Sequence, residues 1–169
     1  AASTALGLAL LLTPSLLLGP AFVVLAAALH QLAPAERAAF SQSALAFAII
    51  YATLTGLVYF VQLTLVAPRM ASGDVAGLEP FLFLPYRSFL FAVDLLGYSM
   101  MSLATLFAAF ALPGERKARS ARLALLANGL LLPALALQMF WPWLIWIGAL
   151  WAISFPAAMI LIARLMRRI

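Results

Sequence analysis

Residues Phe83–Leu112 read FLPYRSFLFAVDLLGYSMMSLATLFAAFAL, and after Arg87 the only charge in this stretch is Asp94. An apolar run longer than the ~20 residues needed to cross a bilayer as a helix reads as a transmembrane segment. Apolar residues fill nearly every position instead of alternating, which excludes a strand of a membrane β-barrel. The same reading extends outward to the whole chain. Of 169 residues, 67% are hydrophobic and only 9% charged, with a mean hydropathy of +1.13. Ordinary soluble domains are about half apolar and about a quarter charged. The expected fold is therefore all-α: a polytopic membrane helix bundle forming a single integral membrane domain.

Five segments are expected: helices over 4–30, 35–67, 85–112, 119–139 and 142–168, with one long loop over 68–84. The first run, Ala5 to Ala28, lacks a basic leading region and exceeds the length of a signal-peptide core, so it reads as a true span. The chain begins with Ala1 rather than Met, which leaves room for residues before it. Pro34 and Pro85 stand where proline opens a helix, Pro68 where it ends one, and Pro113-Gly114 marks a turn.

Charge sets the expected orientation. Arg116, Lys117, Arg119 and Arg122 fall on one side with Arg37 and with Arg164, Arg167 and Arg168. On the other side Arg69 and Arg87 are offset by Asp74 and Glu79. The positive-inside rule makes the basic side cytoplasmic, with the N-terminus outside and the C-terminus inside the cell's inner (plasma) membrane. Trp141, Trp143 and Trp146 then fall at the outer interface, where aromatic residues form belts. The pI near 10.5 is accounted for by these topology signals, so nucleic acid is not an expected partner. The apolar PFLFLP stretch, Pro80–Pro85, is too short to span and reads as an anchor at headgroup level.

Helical periodicity divides the second and third segments into faces. Around Asp94 fall Arg87, Gly97, Tyr98, Met101, Ser102 and Thr105, with Leu96, Leu103, Leu106, Phe107 and Phe110 opposite. In the second segment, Ser41, Tyr51, Thr55, Tyr59 and Gln62 share a stripe with Ala44, Ala48, Ala52 and Gly56. The last four form a small-xxx-small ladder, which lets helix backbones approach closely in lipid. Asp94 lies ~13 Å along its helix from Pro85, and Tyr59 ~12 Å along its own from Ala67. Asp94, Tyr98, Tyr59, Gln62 and Thr55 are therefore expected at one level in the outer half of the bilayer, with Arg87 above them.

Asp94 is the one ionisable acid or base deep inside an expected span, where an aspartate costs ~2.5–3.5 kcal/mol at a helix centre. Two roles offset that cost: a hydrogen-bonded packing residue, or a proton relay or counter-charge for a ligand. Asn128, beside Gly129 and before Pro133, is expected to bond backbone freed by the proline. His30 reads as an interfacial residue. With no cysteine and a single histidine, disulfides, zinc, iron–sulfur and bis-histidine haem sites are excluded, and neither metal nor cofactor is expected. No HExxH, GxSxG, Walker or dinucleotide motif occurs, and no second intramembrane acid pairs with Asp94, so catalysis is not expected.

Two function classes follow. One is a protein that binds or translocates a small or amphiphilic ligand in a cavity around Asp94, Tyr98, Tyr59, Gln62, Arg87 and Thr55. The other is an accessory subunit that packs through the Ala44–Ala48–Ala52–Gly56 ladder onto a second copy or a membrane partner. The bilayer is the surrounding partner in both.

Overall fold

A computed structural model of the chain describes residues 5–167. The expected boundaries at Thr4 and Arg168 lie outside that range. All regular structure among the described residues is helical, and it forms a bundle. Four helical stretches are long and apolar enough to cross a membrane: Leu6–Leu32, Ala35–Ala71, Phe89–Ala111 and Pro142–Met166.

α1 runs Ala5–Leu32 with Pro14 and Pro20 inside it. A 3₁₀ turn, Ala35–Arg37, leads into α2, Ala38–Val61. Helix does not end at Pro68, as the sequence suggests. It passes through a π-turn at Gln62–Val66 into α3, Ala67–Ala71, and stops only before Gly73, whose φ is +75°. The reason is geometric: proline lacks an N–H and crowds the preceding turn, and the wider π-turn immediately before it takes up the mismatch.

α4, the helix of the opening stretch, spans Phe89–Ala111 and begins four residues later than Pro85 predicts. Tyr86 sits at φ 61°, so the chain between Pro85 and Ser88 is a tight turn. Ser88 is the true cap, its Oγ accepting from the N–H groups of Phe91 at 3.2 Å and Leu84 at 3.0 Å. At the other end, Leu112 is extended because Pro113 follows it. Arg37 donates to the carbonyls of Phe110 and Leu112, and Arg122 to those of Leu112 and Pro113. Two cations thus satisfy the carbonyl end of α4, where the helix dipole is negative.

The fourth expected helix, 119–139, is broken. α5 covers Arg119–Gly129 and α6 Leu132–Ala136, with turn bonds from Leu130 N–H to Leu126 and from Leu131 N–H to Asn128 between them. Pro133 has no N–H to offer the Gly129 carbonyl, so the rod loosens there. The fifth segment opens with a 3₁₀ turn at Pro142–Leu144 and continues as α7, Ile145–Gly148, and α8, Trp151–Met166.

α4 is the central element, packed against α2 along most of its length and against α5 and α6. Small residues make this possible. A Cβ placed on Gly97 would lie 2.6 Å from Thr55 Cγ2, and one on Gly129 would lie 2.7 Å from Leu106 Cβ and 2.9 Å from its Cα. The α2 ladder faces α1: Ala52 Cα lies 3.2 Å from where a Gly19 Cβ would be. Ala48 shares a core with Phe22 and Ala26, and Ala44 one with Leu29. Gly56, at the far end of the ladder, has nothing within 4 Å of a built Cβ, so it is not part of this contact.

Candidate functional site

Asp94 lies on the face of α4 that meets α2, and is buried at 8% exposure. Tyr59, one of the last residues of α2, is similarly buried, and its phenol is the group that interacts with the carboxylate. The same phenol is 3.0 Å from the Tyr98 hydroxyl, one helical turn after Asp94. An aspartate and two hydrogen-bonded tyrosines from two helices therefore form one polar cluster.

Around Tyr98 the cluster widens. Its ring centroid is 5.8 Å from that of Tyr51 on α2, and 5.1 Å from that of Trp151 on α8, in edge-on contact. Four polar atoms in this neighbourhood are buried with no hydrogen-bond partner among the described residues: Asp94 Oδ1, Tyr51 Oη, Ser102 Oγ and Trp151 Nε1. Tyr51 and Trp151 touch Tyr98, and Asp94 and Ser102 are one turn before it and one turn after it on α4. Buried polar groups are nearly always paired, so such a concentration marks a place where water or a ligand completes the bonding.

The other expected site residues are placed differently. Thr55 is fully buried, but its hydroxyl donates to the Tyr51 carbonyl at 2.9 Å and its methyl fills the notch above Gly97. It is a packing residue of the α2–α4 contact. Gln62 Nε2 donates to the Phe81 carbonyl at 2.6 Å, tying the end of α2 to the loop segment Glu79–Phe81. Arg87 is exposed, and the only ion pair among the described residues joins Arg69 to Asp74 instead. The periodicity that set Arg87 near Asp94 assumes helix from Pro85, whereas Arg87 stands in the turn before α4.

Beside the cluster a groove of about 430 Å³ opens between α1 and the end of α2. Leu8, Leu11 and Leu12 form one wall and Leu82–Leu84 another, with Tyr59, Gln62 and Val66 between them. Tyr59 thus has one side in the groove and its hydroxyl in the Asp94 cluster.

A second polar group sits deeper along α4. Asn128, at 0% exposure, donates to Thr105 Oγ1 at 3.0 Å and accepts from Ser154 Oγ at 2.8 Å. It joins α5, α4 and α8 through side chains and does not serve backbone freed by Pro133, contrary to the sequence expectation. His30 Nδ1 is 2.8 Å from Ser41 Oγ, so it links α1 to α2.

Sequence reading missed Trp151 as a member of the cluster. A signal was present: Trp151, Phe155, Ala158 and Ile162 recur at helical spacing, and the last three are buried. No group of His, Asp and Glu suited to a metal occurs among the described residues. Comparisons with family models, with curated proteins and with solved structures found no match for this chain.

Proposed function

We propose that this chain is a five-span protein of the inner (plasma) membrane that binds a small amphiphilic molecule at the Asp94 cluster. In this reading the N-terminus is outside, the kinked α5–α6 rod is the fourth span, and the cluster lies in the outer half of the bilayer. The basic residues at the Arg37, Arg116–Arg122 and Arg164–Arg167 end support that orientation. The observation that carries the binding role is the buried Asp94 oxygen with no hydrogen-bond partner among the described residues, beside phenols that donate and accept. An uncompensated carboxylate inside a membrane is costly, and a ligand's ammonium or hydrogen-bond donor offsets that cost.

The accessory-subunit reading has less support. The ladder that would dock another chain is largely occupied by α1, through Gly19, Phe22, Ala26 and Leu29.

The test is binding of decyltrimethylammonium to the full chain in neutral nanodiscs, read as a rise in unfolding temperature and compared with decyl maltoside. The cationic amphiphile is expected to stabilise the protein and the neutral one not. Asp94→Asn is expected to weaken the effect about tenfold or more, because it removes the negative charge that attracts the quaternary cation. Equal responses to both compounds, unchanged in Asp94→Asn, would contradict the proposal.

A further inference from the structure

We infer that the groove between α1 and the end of α2 is the tail channel and lateral entrance of this site, and that its occupant is a cationic amphiphile whose alkyl chain lies along it. This rests on the binding role proposed for Asp94 and adds where the ligand enters and where its tail lies.

Four observations converge. First, the groove is lined by apolar side chains except for Tyr59 and Gln62. Gln62 is already committed to the Phe81 carbonyl, so it holds the loop wall in place, and Tyr59 remains as the polar group leading inward. Second, Tyr59 lines the groove, is 3.0 Å from the Tyr98 hydroxyl and interacts with Asp94, so displacing this one side chain brings a head group to the buried carboxylate oxygen. No basic side chain pairs with Asp94 among the described residues, which makes a cation the complementary head.

Third, with a methylene occupying roughly 30 Å³, the groove of about 430 Å³ has room for at least one alkyl chain of about a dozen carbons. Fourth, the helix is locally rebuilt at this place. The π-turn Gln62–Val66 widens α2, and its two buried residues, Gln62 and Val66, both line the groove. Pro68 accounts for the π-turn itself, and its effect here is to set these two side chains into the groove lining.

A dodecyltrimethylammonium probe with a diazirine on its terminal carbon, photolysed with the full chain in phosphatidylcholine nanodiscs, tests this. Adducts are expected on Leu8–Leu12 and Leu82–Leu84. Excess unlabelled dodecyltrimethylammonium should remove them, and Asp94→Asn should reduce them about tenfold or more. Leu84→Trp, an exposed loop position that leaves the bundle core untouched, should obstruct the channel and abolish the same adducts.

Adducts that are competed and Asp94-dependent but lie outside the groove would overturn the channel while leaving the binding role standing. Uncompeted adducts spread over the open faces at Leu57, Phe60 and Ile153, identical in Asp94→Asn, would overturn both.

Discussion

Tyr59 is the residue on which most of the site depends. It belongs to α2, yet its hydroxyl interacts with two α4 side chains, Asp94 and Tyr98, while its ring borders the groove. Tyr59→Phe should therefore cost more stability than Tyr98→Phe, roughly 1 kcal/mol or more for the phenol that serves a carboxylate. Chemical unfolding of both variants in the same detergent checks the order. Asn128 gives a second comparison. Replacing it by Ala removes bonds to the buried Thr105 hydroxyl, which keeps only its bond to the Ser102 carbonyl, and to the half-buried Ser154 hydroxyl, so it should destabilise by about 1–3 kcal/mol. Asp94 and Tyr59 could be paired from sequence because each lies on the polar stripe of its own helix. Arg87 and Thr55 were harder to place. Periodicity gives a direction around an axis, but it does not say where the helix starts or whether a hydroxyl is already used by its own backbone.

At the scale of the elements, close contacts between helices decide which substitutions are tolerated. Gly129→Ala would push a methyl to within 2.9 Å of the α4 backbone at Leu106, and backbone cannot move aside cheaply. Gly56→Ala meets nothing within 4 Å, and should be neutral or stabilising by up to ~1 kcal/mol, since alanine is the better helix former. The melting temperature should fall in Gly129→Ala and not in Gly56→Ala. Helix existence was legible because hydrophobic content alone specifies it. Helix ends were not: each depends on a local competition, Ser88 against Pro85 as the cap, or a π-turn that lets the chain continue past Pro68. The break before Pro133 follows the same rule of a missing N–H, and was visible in the sequence as a proline at the wrong place for an unbroken rod.

The connection between α3 and α4 links element and molecule. Arg69 holds Asp74 by two hydrogen bonds, at 2.9 and 3.1 Å, and also bonds the Ala76 carbonyl at 2.7 Å. The arginine holds the Asp74 carboxyl below its usual range. A carboxylate with a depressed folded-state pKa contributes order above the usual carboxylate range and loses it as pH falls through that lowered value. A nitroxide at Val75→Cys, on this exposed loop, should gain mobility on acidification below the usual carboxylate range. In Asp74→Asn the label should be mobile at every pH.

For the whole molecule, the membrane reading rests on four long apolar helices, and the binding reading on how α2, α4 and α8 meet. The first is written in composition. The second is not, because the rotation of α8 that brings Trp151 against Tyr98 is a property of the packed bundle. Four aromatic residues and one acid then share an interior in which several buried polar atoms have no hydrogen-bond partner among the described residues. That shortage separates this interior from an ordinary packed core.

The most direct test is an infrared difference spectrum of the full chain on adding decyltrimethylammonium, with aspartate isotopically labelled. The account predicts a labelled carboxyl band that shifts on binding and is absent in Asp94→Asn. Binding that saturates equally in both proteins, with no change in that band, would contradict it.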